Sequence, residues 1–357
     1  MPPRPLSVAG AALLVVALGA VAPSGAHAVP SADDVVEVCR FSDDRLDEIS
    51  GMTYSQRHDN VLYLHNDSSG GPRIYAVDAT TCDVIATLTV AGIEARDLEA
   101  IGSGRDAKGR PVLWLGDLGD NLDSWPEVRL HRVREPKRLR DRTLTPRTYR
   151  VTYPDRPHNA EALLADPDSS RVWVVTKQAA SGTIYALPRG ADRDQVTVLE
   201  PVGEAGAFVT DGSVSPDGSR FALRDYVDAE VRLGLPSGRD PQTVYLPLQL
   251  QGEALTWTAD GSALLVAGER DDRLLQVPVA PAPPAVTGAE TAPPSDAAAS
   301  TPLPSGQSLS SAGPEQQQQL ATRGDGGWVV PGVAALLVAA ALAVIGVAEW
   351  RRRRGGA

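Results

Sequence analysis

The chain has 357 residues, with 34 lysines and arginines against 45 aspartates and glutamates, a formal net charge of −11 and only 5% aromatic residues. Setting aside residues 1–28 and 328–357 leaves 29 basic against 44 acidic residues. That excess excludes nucleic acid and anionic membrane surfaces as partners of the folded part, and suits cation binding or simple solubility. The 33 glycines and 29 prolines, with few helical stretches, speak for short strands and tight turns.

Residues 1–28 read as a secretory signal peptide. Arg4 supplies the positive start, residues 8–21 the apolar stretch, and Ala26-His27-Ala28 a small-x-small cleavage site. An uncleaved anchor is the alternative, but the apolar run is short for a spanning helix. Two cysteines follow, Cys39 and Cys82. An even pair in an oxidising exterior is expected to form a disulfide, with two free buried thiols as the alternative. No CxxC pair is present, which argues against a zinc or redox motif.

From residue 35 to about residue 279 one pattern recurs five times: an acidic residue, a short apolar strand, a turn and a second apolar strand with a polar tip. The starts are DEISGMTYS (47–55), RDLEAIGSG (96–104), HNAEALLADP (158–167), VTDGSVSPDG (209–218) and QGEALTWTADG (251–261). The tips are LYLHND (62–67), LWLGDLGDN (113–121), VWVVTK (172–177), FALRDY (221–226) and LLVAGE (264–269). Strand pairs recurring at this spacing predict an all-β fold, a β-propeller, over 29–280. At roughly 40–45 residues per blade the length gives five to six blades, with six favoured. The long interval between the second and third starts leaves room for a further strand pair or an inserted loop. Residues 35–41 are expected to close the ring by pairing with the last blade.

Residues 281–327 are rich in Pro, Ala, Ser and Gln and are expected to form a disordered stalk. Residues 328–348 carry no charge and are long enough to span a bilayer as one transmembrane helix, with Trp328 and Trp350 at its ends. Arg351–Arg354 mark 349–357 as a cytoplasmic tail. The expected localisation is therefore the plasma membrane, single-pass, with the N-terminal domain outside. Leu320-Ala321-Thr322-Arg323-Gly324 looks like an LAxTG sortase signal but has arginine at the fourth position.

In a propeller the innermost strand of each blade lines the central channel. If the repeat starts are those strands, Glu48, Glu99, Glu161, Asp211 and Glu253 converge near the axis. Facing carboxylates raise one another's pKa unless a cation neutralises them, and Ca²⁺ takes six to eight oxygens. The other reading makes these acids acceptors of backbone N–H groups that fasten neighbouring blades. The tips add Asp67, Asp117, Asp120, Asn121 and Glu269 as candidate ligands, although Asp, Asn and Gly runs are also ordinary turns. Lys177 and Arg224, at basic tips, are candidates to hold an anionic ligand group or else to pair with nearby acids. His65 and His158 are candidate general bases or metal ligands, with loop histidines of no special role as the alternative. No Gly-x-Ser-x-Gly elbow, HExxH helix or phosphate-cradling glycine loop is found.

The strings EISGMTYS with VLYLHNDS, DLEAI with LWLGDLGDN, NAEALL and QGEAL resemble secreted actinobacterial β-propeller proteins of the WD40-like kind. More distantly they are similar to esterase-like phytase and gluconolactonase/regucalcin propellers. That second resemblance implies channel acids holding a divalent ion. The fourth start departs, with Asp211-Gly212 where the others have Glu-Ala. Together these readings give a surface ligand-binding or interaction module with an acidic, Ca²⁺-assisted mouth. Its partner is expected to be an extracellular ligand or an envelope protein or glycan. The alternatives are a metal-dependent phosphoester or ester hydrolase and a structural envelope scaffold.

Overall fold

The computed structural model describes residues 34–67, 71–236 and 238–281. The expected signal peptide, stalk, sortase-like motif, transmembrane helix and tail lie outside them. No helix among the described residues is long and apolar enough to cross a membrane.

Among the described residues twenty-two strands form five sheets, each a blade of a propeller-like ring. The innermost strands are Ile49–Tyr54, Leu98–Arg105, Ala160–Ala165, Asp211–Val214 and Gln251–Trp257, one from each of the five repeat starts. Each pairs antiparallel with the strand that follows it. Four of the five second strands, such as Val61–Asn66 and Ala263–Glu269, are buried at every position, and Pro111–Asp117 at all but its first. A strand sandwiched on both faces is apolar throughout, which explains why these segments read as continuous apolar runs rather than alternating ones.

The described residues form five blades, not the six expected. The long second interval is spent on outer edges instead. Arg147–Thr152 is the fourth strand of blade 2, and Arg142–Leu144 adds to blade 1 parallel to Val84–Val90. Val196–Val198 in turn adds to blade 2, parallel to Arg147–Thr152. Counting residues per blade overshot because these segments cover sheet edges that would otherwise expose unpaired N–H and C=O groups.

Ring closure follows the expected route. Val36–Arg40 pairs antiparallel with Asp271–Pro278 and becomes the outermost strand of blade 5. Cys39 on that strand is disulfide-bonded to Cys82 in blade 1, with Cα atoms 5.7 Å apart. The bond therefore staples the last blade to the first. Packing between blades is apolar. Tyr63 and Ile74 of blade 1 meet Leu113 and Leu115 of blade 2. Trp114 of blade 2 shares a cluster with Leu163 and Val174 of blade 3. Ile184 meets Phe221 and Leu223 at the next interface, Val231 meets Trp257 at the one after, and Met52 meets Leu265 where the ring closes.

Candidate functional site: an acidic channel mouth

In four of the five blades the register slips by one residue where the inner strand begins. The slips fall between Ile49 and Gly51, Leu98 and Ala100, Ala160 and Ala162, and Gly252 and Ala254. The unpaired residues are Ser50, Glu99, Glu161 and Glu253. A bulge of this kind re-aims one side chain out of the regular alternation. Ser50, not Glu48, holds the repeat position in blade 1, and its Oγ donates to Glu99 Oε2 at 3.2 Å. Glu48 precedes the strand, where its carbonyl accepts from Asp67 N at 3.1 Å.

Blade 4 has no slip, and Asp211 pairs in register with Arg224. Its carboxylate is fully buried and accepts from Gly212 N and, across the interface, from Leu255 N, each at 2.7 Å. Asp211 is thus a fastener between blades. Arg224, also buried, donates to the carbonyls of Ala254 and Ala267 and to Gln249 Oε1. A Cβ at Gly252 would overlap its guanidinium, so glycine is what admits Arg224 to this place.

The other acids gather. Carboxylate oxygens of Asp67, Asp97 and Glu99 lie within 4.8 Å of one another. Asp97 is pushed up to about 8, first by burial and then by Asp67, with which it shares a carboxyl–carboxyl hydrogen bond. Glu99 and Glu253 are held well above the carboxylate range by burial and by Glu161. Glu269 is pushed up to about 7 by burial, Asp67 and Glu48. Electrostatic contact thus links blades 1, 2, 3 and 5 around one end of the channel. Burial pushes Glu161 up as well, but Lys177 Nζ donates to its Oε2 at 2.6 Å and favours the ionised form. Burial alone would lower the Lys177 ammonium; Glu161, Tyr226 and Glu253 outweigh it and hold it above its usual range. Tyr226 completes the group, its hydroxyl 2.7 Å from Lys177 Nζ. Burial, ahead of the neighbouring charges, pushes that hydroxyl up to about 12.

The GDLGDN run at 116–121 supports this cluster rather than joining it. Asp117, fully buried, accepts from Arg96 N and Asp97 N at 2.8 Å. Asp120 accepts from Ser124 N and Trp125 N, and Asn121 Oδ1 from Asn159 Nδ2. A Cβ at Gly119 would overlap the Asp97 carboxylate, so this glycine clears the space Asp97 occupies.

Neither candidate histidine reaches the mouth in a form ready to move protons. His65 is fully buried, packed against Gly51, with Nδ1 donating to Asn66 O; burial lowers it to about 4. His158 is bonded through Nε2 to Asp155 and through Nδ1 to Gln178, and edges onto Tyr153. Sequence reasoning passed over Asp97 and Tyr226. Asp97 precedes the strand Leu98–Arg105 and a bulge falls at Glu99, so strand alternation does not pair the two.

No protein-family model matches this chain, and no curated protein matches it.

Proposed function

We propose that this protein is a surface-anchored binding module whose acidic channel mouth takes a divalent cation, Ca²⁺ by the oxygen-only character of the donors, as part of recognising an extracellular ligand. The observation that carries it is the approach of Asp67, Asp97 and Glu99 to within 4.8 Å, with Glu161, Glu253 and Glu269 close enough to act on them. Such an arrangement costs free energy unless protons or a cation neutralise it. A hard divalent ion matches carboxylate donors and replaces the protons the mouth otherwise holds. Surface anchoring rests on the charge-free segment 328–348 and the arginines after it.

Asp67, Asp97 and Glu99 are the first-choice ligands, with Glu161, Glu253 and Glu269 completing the oxygen set. Lys177, paired with Glu161 and Tyr226, offsets part of the negative charge of the mouth. Asp211, Asp117, Asp120, Asn121 and Arg224 serve the scaffold in this reading. Against the phytase-like or lactonase-like hydrolase alternative stand the sealed position of His65 and the doubly bonded ring of His158, which leave the mouth without a histidine base.

The test is the melting temperature of the full chain in excess Ca²⁺ and in EDTA. A cation at 100 times its dissociation constant adds about 2.7 kcal/mol, or roughly 5–11 °C for a domain of this size. A shift lost in Glu99→Gln supports the reading. Equal melting in both conditions, at pH 8 where the carboxyls release protons, rejects it.

A further inference from the structure

Ten large apolar side chains stand exposed among the described residues, and their distribution over the ring is uneven. Val36, Ile85, Val196 and Val198 lie on outer strands. The other six, Leu122, Phe208, Val227, Tyr245, Leu248 and Leu250, all sit at the mouth end. Phe208 and Leu248–Leu250 lead directly into the inner strands that begin at Asp211 and Gln251. Val227 follows the tip at Arg224, and Leu122 follows the one at Asp117. Tyr245 pairs with Asp228 beside Val227, and Leu246 N donates to Val227 O at 3.1 Å. The turns of the opposite end contribute none of the ten, so one face of the ring is apolar at its rim and acidic at its centre.

The rim is also held in place. Gln249 points inward, accepting from Arg224 and donating to Asp271 Oδ2 at 3.4 Å. Leu248 and Leu250, on either side of it, are 86% and 68% exposed. Phe208 adopts φ 52°, a left-handed conformation costly for a bulky side chain, pinned by its N–H to Gln178 O at 2.8 Å. Strain of this kind persists where surrounding contacts impose it and concentrates at ligand clamps. Exposed apolar side chains with a polar centre are the usual makeup of a recognition surface.

We propose that the mouth face docks a polypeptide partner that sets a lysine or arginine side chain into the acidic centre and covers the rim with flanking large apolar residues. Charge complementarity selects the occupant. Asp225 and Asp228 border Val227, Glu253 follows Leu250 by three residues, and the central acids lie beyond, so a basic group entering here meets carboxylates on several sides and competes with the cation for them. The aliphatic rim favours apolar side chains over sugar hydroxyls, and the acids oppose an anionic bilayer. The proposal rests on the acidic mouth being the functional site.

The test is to pan a random linear 12-residue peptide library against the full chain. The enriched peptides are then synthesised with a fluorophore, and their binding is read by anisotropy. Enriched sequences should place Lys or Arg between large apolar residues. Replacing that basic residue by Met, or using the L248D/L250D variant, should each weaken binding by about tenfold or more. The melting temperature of L248D/L250D checks that the fold is kept. No enrichment, enriched peptides lacking a basic residue, or equal affinity for L248D/L250D would overturn the proposal. Its failure is distinguishable from failure of the cation reading: peptide binding without Ca²⁺-dependent melting removes the cation and keeps the docking face, and the converse removes the docking face alone.

Discussion

Ser50 Oγ donates to Glu99 Oε2 at 3.2 Å, and the two residues occupy the same bulge position in successive blades. The repeat therefore supplies a position, and the chemistry placed there differs from blade to blade: a hydroxyl in blade 1, glutamates in blades 2, 3 and 5, and in blade 4 an aspartate that no bulge redirects. Ser50→Ala removes a donor to a buried carboxyl, whereas Ser50→Glu adds a fourth glutamate at the bulge position. We expect Ser50→Glu to lower the melting temperature in EDTA and to recover most of the loss in Ca²⁺, as differential scanning fluorimetry would report.

The raised carboxyls make stability depend on pH. A carboxyl whose folded pKa lies above its unfolded value binds more protons in the folded state, so its stabilisation is full below the unfolded pKa and is lost as pH rises through the folded one. For Asp97 the window runs from 3.8 to about 8, and for Glu269 from 4.5 to about 7. His65 and His131, lowered by burial from 6.5 to about 4, act with the opposite sign but are complete by pH 6.5. Between pH 6.5 and 8 the metal-free protein should therefore lose stability, and Ca²⁺ should flatten that decline. Denaturant midpoints at four pH values in EDTA and in Ca²⁺ read both slopes; a metal-free protein that gains stability over this range contradicts the account.

Lys177 and Glu161 are largely buried together at 2.6 Å. Removing one partner of such a pair strands the other charge and costs about 3–5 kcal/mol. Lys177→Met should therefore destabilise the metal-free protein by that order. The same change removes a positive charge from the mouth, so Ca²⁺ affinity should rise severalfold. Loss of affinity together with stability would mean that Lys177 merely holds the mouth in shape.

Asp211 and Gly119 separate scaffold from site. Asp211→Ala leaves Leu255 N without its acceptor and should cost about 1–3 kcal/mol, with calcium affinity unchanged. Gly119→Ala replaces no proposed ligand, yet its methyl must displace the carboxylate of one, Asp97. It should weaken Ca²⁺ binding with a smaller loss of stability. Calorimetric titration of both variants distinguishes the two patterns.

The Cys39–Cys82 disulfide staples the strand that closes the ring. With a sequence separation of 43, its chain-entropy contribution is about 3–4 kcal/mol. The double Cys→Ser variant should unfold at lower denaturant by that order. Hydrogen exchange should place the largest loss of protection at Val36–Arg40 and Asp271–Pro278.

Much of the fold was legible because a propeller repeats its instructions. The five repeat starts are the five inner strands, and the continuous apolar runs after them are the doubly covered second strands. Blade number was harder to read, because Arg142–Leu144 and Val196–Val198 look like blade material but serve as edge covers. Their partners are set by tertiary placement, which no local pattern records. At the site the acids at 99, 161 and 253 were readable from the repeat, whereas Asp117, Asp120 and Asp211 were not separable from them. Carboxylates spent on backbone N–H groups and carboxylates facing each other have the same sequence appearance. A one-residue bulge decides between them in this ring, and neither Asp97 nor the role of Gly119 could be placed without it.

The most direct test of the central claim is a calorimetric titration of the full chain with CaCl₂ at pH 8, alongside Asp97→Asn and Glu99→Gln. The account predicts saturable binding with release of protons, weakened by about tenfold or more in either variant. Absence of binding heat in the unaltered protein, or binding that both variants retain in full, would contradict it.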